Sequence, residues 1–333
     1  MRLGYLCVAL GIGLGGCGRR AASPPPSDAS VVSMEGLDFG GPLRLSETGL
    51  YSDFSARTLS SDVIRYTPRY PLWSDGAEKE RFLLLPTGTQ IDTSDMDNWV
   101  FPDGTKLWKE FSRDGKVIET RLLQKLHDGK DGWFEVAYLW NETHSEAIAV
   151  PDGQENALGT SHNVPSQEDC GKCHGNVRDV IIGVSAIQLS AADGRGALSD
   201  LSRRGLLSQP PAGEFEVPGH GIVQDALGYM HGNCGHCHNN RSFFEHESVL
   251  RLRLSVTDTI AEETPSYKTT IRVKMFHDFG GINLGVVPGA LEMSQLYVRM
   301  GLRDDNAMPP VCSKVVDSSG RGVIADWINS LPQ

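Results

Sequence analysis

The first half of the chain alternates short apolar or aromatic runs with turn residues. The runs lie at 82–85, 107–111, 117–123 and 133–140. They are separated by Pro86-Thr87-Gly88, Pro102-Asp103-Gly104, Asp114-Gly115 and Asp131-Gly132. Glycine after aspartate, or close behind proline, is typical of tight turns between strands. This pattern predicts a β-rich region whose strands pair antiparallel.

Alternation within these runs predicts which side chains share a face of the sheet. Successive members of one set are two residues apart, so they point to the same side of a strand: Phe134, Val136, Tyr138 and Trp140. We expect these side chains to form the core of the sheet rather than to line a cofactor. Asp114-Gly115 joins two runs directly and therefore predicts a β-hairpin.

The second half of the chain changes to a helical period. One apolar set lies at helix spacing and runs directly into Cys234: Ile222, Val223, Ala226, Leu227 and Met230. A second helix is predicted after Pro288-Gly289, with these residues on one side: Leu291, Leu296, Tyr297 and Met300. A last amphipathic helix, ended by Pro332, is predicted from Val323, Ile324, Trp327, Ile328 and Leu331.

Two connecting segments are predicted between these elements. Leu250, Leu252 and Leu254 alternate with arginines, which predicts a short strand. Residues 194–207 are predicted to form a polar connector. The fold class expected from the whole pattern is α+β, with a β-rich antiparallel domain at 46–210 followed by a mainly helical domain at 211–333.

The first residues predict export and lipid attachment. The apolar run 3–14 follows Arg2 and is too short to span a bilayer of roughly 30 Å. It ends in Leu14-Gly15-Gly16-Cys17, which resembles a lipobox, so we expect 1–17 to be a lipoprotein signal peptide with Cys17 as the lipid attachment site. An ordinary signal peptide or a chance cysteine is the alternative. Residues 18–45, with Pro24-Pro25-Pro26, are expected to be a flexible tether.

Composition and charge narrow the possible partners. The chain has 333 residues, enough for two domains, and a formal net charge of −11. An acidic surface disfavours nucleic acid and favours proteins with basic patches. Together with the leader, this predicts a cell-envelope protein, periplasm-facing or on the outer membrane, held to the membrane by its lipid.

Two CxxCH motifs are the strongest chemical signals in the sequence: Cys170-Gly171-Lys172-Cys173-His174 and Cys234-Gly235-His236-Cys237-His238. Two thiols three residues apart lie on one side of a helical turn, where both can form thioethers to the vinyl groups of a haem. The histidine that follows is then the proximal iron ligand. We therefore expect two covalent haem c groups, with His174 and His238 as metal ligands.

A structural zinc site and a disulfide-exchange dithiol are two other interpretations of the cysteine pairs. Zinc ribbons space their pairs by roughly 15–20 residues, whereas these motifs begin 64 residues apart. A disulfide-exchange dithiol requires a thioredoxin-like βαβ setting, and the residues before Cys234 have a helical pattern instead. The remaining cysteine of the mature chain, Cys312, is predicted to be a buried thiol, and no structural disulfide is expected.

A methionine follows the second motif at a distance that suits an axial ligand. Met308 lies within Asn306-Ala307-Met308-Pro309-Pro310, 70 residues after His238. Two prolines keep this loop out of a helix, which gives a weak thioether ligand a rigid support. We expect Met308 to be the sixth ligand of the second haem. Met300 and Met275 are the rivals, and a core position is the alternative for each.

Several of these segments together resemble a family of exported di-haem c-type cytochromes. The N-terminal signature comprises 70–79 (YPLWSDGAEK) and 101–111 (FPDGTKLWKEF). The C-terminal block runs from the second CxxCH through Val287-Pro288-Gly289 and Met308-Pro309-Pro310 to Trp327-Ile328, and is also similar to class I cytochrome c domains. The resemblance implies haem at both motifs and electron transfer with envelope redox proteins, such as a periplasmic dehydrogenase. It implies no substrate.

The ligation of the first haem decides between two functions, an electron carrier and a haem enzyme. Its sixth ligand stays open among His162, His144, His220 and His231. The β-rich region before one CxxCH also resembles cytochrome P460, in which a lysine is crosslinked to the haem; the candidates here, each otherwise a surface lysine, are Lys79, Lys106 and Lys109. A di-haem peroxidase is disfavoured because its motifs lie much farther apart. Electron transfer is the leading expectation, and a haem enzyme is the alternative.

Overall fold

A six-stranded antiparallel sheet forms the N-terminal part of the protein. The computed structural model describes residues 39–129, 132–191, 193–243 and 246–333, so the predicted signal peptide, Cys17 and most of the tether lie outside the described residues. The strands of the sheet follow chain order: β3 (Ile64–Arg65), β4 (Glu78–Leu84), β5 (Lys106–Arg113), β6 (Lys116–Lys125), β7 (Trp133–Trp140) and β8 (Ala147–Ala149). A two-stranded ribbon precedes them, made of β1 (Tyr51–Asp53) and β2 (Thr58–Leu59).

Helices dominate the rest of the chain. The first three follow the sheet: α1 (Gln167–His174), α2 (Ala186–Leu189) and α3 (Ala197–Arg203). The later helices are α4 (Ile222–Asn233), α5 (Pro265–Thr270), α6 (Gln295–Met300) and α7 (Ser318–Ser330). Between α5 and α6 the strands β9 (Lys274–Phe279) and β10 (Ile282–Leu284) form a hairpin. The predicted α+β class, a sheet followed by a mainly helical part, is confirmed.

The sheet forms where the sequence pattern predicts strands. Asp114 and Gly115 both have positive φ angles, 53° and 74°, and connect β5 to β6 as the predicted hairpin turn. The aromatic and branched set on β7 is buried, as expected for a sheet core: Phe134, Val136, Tyr138 and Trp140. One face of the sheet packs on a cluster that includes Val180, Ile181 and Leu189 from the segments after α1.

The helical part has its own core around α4 and α7. Leu227 and Met230 of α4 pack with Trp327 and Ile328 of α7, and all four side chains are almost fully buried. The two helices approach closely because α7 carries Gly320 where the ring of Tyr229 lies; a Cβ atom there would come within 2.2 Å of the ring. The predicted last helix, ending before Pro332, is confirmed.

Two sequence predictions on connecting segments are wrong. The polar connector contains the helix α3, whose Leu198 and Leu201 are buried in the core. Residues 250–254 form no strand, because the segment finds no ladder partner, although its leucines are buried. The strand pairing in this region is the β9–β10 hairpin, turned by Gly280 and Gly281 at positive φ.

Residues 40–333 form one compact unit by their contacts. The core under the sheet and the core around α4 are both contacted by Phe215 and Val256. The predicted division into 46–210 and 211–333 stays a prediction. Among the described residues, no helix is long and apolar enough to cross a membrane.

Candidate functional site

The first CxxCH motif is carried by α1. Ser166 caps the helix by accepting a hydrogen bond from the amide of Asp169 at 3.2 Å. Cys170 and Cys173 therefore lie one turn apart, and His174 is the last helical residue. The Nδ1 atom of His174 donates to the carbonyl of Val180 at 2.5 Å. This bond fixes the ring and leaves Nε2 as the nitrogen available to a metal.

A buried ion pair holds the segment that orients His174. Asp179 accepts from the ammonium of Lys125 at 3.1 Å and from the indole of Trp133 at 2.9 Å. It also accepts from the amide of Phe101 at 2.6 Å. Lys125 is fully buried, so the pair is stable only with these additional hydrogen bonds. The network anchors residue 179 to the sheet, one residue before the carbonyl that His174 contacts.

The second CxxCH motif follows the end of α4. Cys234 is the C-cap residue of the helix, and Cys237 and His238 lie in the turns that follow. The Nδ1 atom of His238 shares a hydrogen bond of 3.1 Å with the hydroxyl of Ser248. The carbonyl of His238 accepts from the amide of Leu252 at 2.8 Å. Again Nε2 is the nitrogen without a hydrogen-bond partner among the described residues.

The fold brings the two motifs side by side. The neighbouring thiol of Cys237 raises the pKa of Cys173 to about 12, and Cys173 in turn lowers the pKa of Cys237. Next to them, Asn239 donates to the carbonyl of Asn176 at 3.2 Å. The side-chain oxygen of Asn176 accepts from the hydroxyl of Ser242 at 3.0 Å. The contact between Asn239 and Asn176 could not be predicted from sequence spacing, because it joins residues 63 positions apart.

Cys312 corrects a prediction from the sequence. Its side chain is exposed, not buried, and its backbone has a positive φ of 56°. The neighbouring thiol of Cys173 raises the pKa of Cys312. The cysteine left over in the sequence therefore lies directly beside the two motifs.

The first cysteine of each motif is not activated for disulfide exchange. Burial raises the pKa of Cys170 and of Cys234 to about 12. A reactive CxxC motif needs a thiolate, and therefore a lowered pKa, at its first cysteine. The sheet before the first motif is also antiparallel, unlike a thioredoxin fold. Both observations disfavour the redox-dithiol interpretation.

The four histidines that are candidates for the sixth ligand of the first haem differ in their contacts and exposure. His162 donates to Glu119 at 2.7 Å, and His231 accepts from the amide of Leu254 at 3.0 Å. His220 is exposed and His144 lies beside the ring of Trp140 after β7.

A further histidine was missed from the sequence. His236, between the cysteines of the second motif, has a buried Nδ1 without a partner among the described residues. Burial is the main cause that lowers the pKa of His174, and the positive charges of Lys109 and of protonated His236 lower it further.

The three methionine candidates for the sixth ligand of the second haem differ in burial. Met275 and Met300 are buried in the apolar core around α4. Met308 is only partly buried and lies outside that core. Its amide donates to the carbonyl of Arg299 at 3.0 Å, and the charge of Arg299 contributes to lowering the pKa of His238, although burial is the larger cause. The loop of Met308 is therefore tied to a residue near the second motif.

The segment at 70–75 clamps the second motif and the methionine loop. The ring of Tyr70 lies against Gly228 of α4, where a Cβ atom would come within 2.1 Å of it. The amide of Trp73 donates to Asn233 at 2.7 Å, and its indole donates to the carbonyl of Val315 at 3.0 Å. Asp75 accepts from residues of the loop after Cys312: the Ser313 hydroxyl at 2.8 Å, the Lys314 amide at 2.7 Å and the Val315 amide at 3.2 Å.

Four cations lie on the face of the sheet beneath α1: Lys79, Arg81, Lys109 and Arg121, here called the cation row. Arg81 is directly opposite Lys109, and Lys109 is directly opposite Arg121. Contrary to the surface position expected for it, Lys109 is 9% exposed, and its charge acts on His174 and Cys170. Lys106 instead binds the carbonyl of Thr48 at 2.7 Å.

No family model matches the sequence, and no curated protein or solved structure is similar to it. Within the described part of the chain, no group of three or more histidine, cysteine, aspartate or glutamate side chains is arranged to hold a metal ion by itself. The resemblance to exported di-haem cytochromes stays a prediction. The function is therefore argued from the geometry of the two motifs.

Proposed function

We propose that this protein is a di-haem c-type cytochrome that transfers electrons. Haem would be attached at Cys170 and Cys173 with His174 as proximal ligand, and at Cys234 and Cys237 with His238. The observation that carries the proposal is the contact between the two motifs. Asn239, next to His238, donates to the carbonyl of Asn176 at 3.2 Å, so the residues that would hold the two haems belong to one connected site, as electron transfer between two such groups requires.

The donors of each motif fit the group. Each proximal histidine has Nδ1 in a hydrogen bond, so Nε2 is available for iron: the partners are the Val180 carbonyl and the Ser248 hydroxyl. Burial lowers the pKa of His238 to about 4 and that of His174 well below its usual range. Both rings are therefore neutral near pH 7, which is the form that binds a metal. Haem iron supplies the reversible one-electron step when it is bound.

Met308 is proposed as the sixth ligand of the second haem. Its partly buried side chain is accessible, whereas Met275 and Met300 are occupied in the core. The loop that follows is held by Asp75 and Trp73, which supports a weak ligand. Histidine–methionine ligation raises the reduction potential relative to two histidines.

The cellular setting is proposed from the sequence. Cys17 would carry lipid and place the protein in the cell envelope, periplasm-facing or on the outer membrane. Its redox partners would be envelope proteins, for example a periplasmic dehydrogenase, and the net charge of −11 favours partners with basic patches. Nucleic acid is excluded as a partner by the same charge.

Haem stoichiometry tests the proposal directly. A pyridine haemochrome assay with intact-mass measurement should find two covalent haem c groups per chain. Changing Cys173→Ala or Cys237→Ala should disrupt attachment at the altered motif, because one thioether is lost, whereas Cys312→Ala should leave two haems. A colourless protein, or one that holds zinc in place of haem, would contradict the proposal.

A second candidate is a haem enzyme that uses an open position at the first haem. One observation favours it: one ring nitrogen of His162 is bound to the buried carboxylate of Glu119 and one of His231 to the amide of Leu254, so each ring is oriented by a partner other than the first motif. Carbon monoxide separates the candidates. An electron carrier with six-coordinate irons shows no Soret shift when the reduced protein meets the gas, whereas a shift for half of the haem favours the enzyme.

A further inference from the structure

The cation row concentrates positive charge in the interior of the protein. Its four members lie on three neighbouring strands, on the face that packs against α1. Like charges directly opposite each other on adjacent strands repel. Burial strengthens that repulsion because water no longer screens it. An arrangement of this kind needs negative charge to be stable.

Acidic side chains of the chain supply only part of that charge. Glu119 forms an ion pair with Arg121 and also accepts from His162, so it is shared. Glu135 faces Lys109 from β7, but burial raises its pKa to about 7 and it forms no ion pair with Lys109. Among the described acidic residues, none is ion-paired to Lys79, Arg81 or Lys109.

One buried nitrogen in this region has no hydrogen-bond partner among the described residues: the Nδ1 atom of His236. Lys109, which is 9% exposed, lies close enough for its charge to act on that ring. The ammonium of Lys79, on the next strand, instead binds the carbonyl of Leu72 at 2.9 Å. Buried polar groups without a partner are costly, so they indicate a ligand that completes them.

We propose that Lys109, with the other members of the cation row, binds an anionic oxygen ligand beside the first CxxCH motif. Carboxylates and small oxyanions have the matching chemistry, because they carry the missing charge and accept from ammonium and guanidinium groups. The ligand has two possible sources: a propionate of the haem at Cys170 and Cys173, or a free oxyanion that binds beside the first motif. The propionate source rests on the proposed function; the free-anion source does not require it.

The test compares two lysines of the same strand. Lys109→Met removes the buried charge with little change of shape, and Lys109→Arg keeps the charge. Lys106→Met is the matched control, because Lys106 has its own partner in Thr48. Haem content is measured first in each variant. Sulfate is then titrated into the purified chain by calorimetry, and the potential of the first haem is measured from about pH 5 to pH 8.

A free oxyanion predicts one sulfate site per chain, weakened at least about tenfold in Lys109→Met and retained in Lys109→Arg and Lys106→Met. A propionate predicts no sulfate site in the wild type. In that case the potential of Lys109→Met falls as the pH rises, since a propionate that has lost its cation ionises within this range; the comparison is made in a Glu135→Gln background, because Glu135 has a pKa of about 7 and titrates there as well. The wild type and Lys106→Met keep a flatter profile.

The proposal is overturned if sulfate does not bind and the pH profile of Lys109→Met matches that of Lys106→Met. A protein without haem at the first motif contradicts the proposed function, but its cation row is then still tested by sulfate. If Lys109→Met does not fold, Lys109→Gln, which removes the charge but keeps a polar end group, provides the same comparison.

Discussion

The side-chain amide of Asn239 donates a hydrogen bond to the main-chain carbonyl of Asn176 at 3.2 Å. Asn239 follows His238 directly, and Asn176 lies two residues after His174, so the bond joins the two CxxCH motifs. Asn176 is fully buried and also accepts from the amide of Phe243 at 2.9 Å. The relative position of the two motifs depends on these contacts.

Asn176→Ala should therefore destabilise the protein. Removing its side chain leaves the buried partners Ser242 and Phe243 with fewer acceptors, at a cost of about 2–3 kcal/mol in the free energy of unfolding. Urea unfolding measures this change. Asn329→Ala, at an exposed position of α7, is the control and should change stability by less than about 0.5 kcal/mol. Equal effects of the two changes would argue against the proposed coupling.

Met308→Ala should abolish the methionine-to-ferric-iron charge-transfer band at the red edge of the visible spectrum. The reason is that the thioether of Met308 is the proposed sixth ligand of the second haem. Met275→Leu and Met300→Leu conserve volume in the apolar core, so these controls should keep the band. Survival of the band in Met308→Ala would show that the ligand is another residue.

Asp75→Ala should loosen the methionine loop without removing the ligand itself. The change removes the acceptor of the exposed amides of Lys314 and Val315, and because water can replace it the cost is about 0.5–1.5 kcal/mol. We expect the same charge-transfer band to disappear at a lower temperature than in the wild type. Asp326→Ala, on the exposed side of α7, should leave its melting temperature unchanged. An unchanged band in Asp75→Ala at all temperatures would rule out this support.

His231 should make stability depend on pH. Burial lowers its pKa in the folded protein to about 3, from an unfolded value near 6.5. The unfolded chain therefore binds a proton first, so stability is present above about pH 6.5 and is lost as the pH falls towards 3.

His231→Asn keeps an acceptor for the amide of Leu254 but does not titrate. Urea unfolding between about pH 7 and pH 4 should show a shallower loss of stability in this variant. His220→Asn, at an exposed position, should follow the wild type. A wild-type slope in His231→Asn would assign the acid sensitivity to other groups.

Local patterns predicted most of the elements. The β5–β6 hairpin follows from Asp114-Gly115, and α4 and α7 follow from apolar residues at helix spacing. The β9–β10 hairpin also had a local signal in Gly280-Gly281, whereas the alternation at 250–254 suggested a strand that has no neighbour to pair with. Alternation shows which side chains are buried together, but not whether a ladder partner is present.

The site was predictable only in its chemistry. The proposed haem-binding residues of each CxxCH motif can be predicted from the sequence, because both cysteines and the histidine lie within five consecutive residues. The burial of Lys109, the exposure of Cys312 and the contact between Asn176 and Asn239 depend on residues far apart in the chain. Such relations arise when strands and helices pack, and no short pattern in the sequence contains them.

The clamp at 70–75 has a consequence for how this chain can be divided or recombined. Tyr70 and Asp75 precede most of the sheet in the chain, yet their partners are Gly228 and the loop at 313–315. A fragment beginning at residue 211 would carry the second CxxCH motif but would lose the contacts that the clamp at 70–75 makes with it. The helical part after residue 211 therefore cannot be replaced on its own. A chimeric protein that takes this part from another chain would also need the matching segment at 70–75.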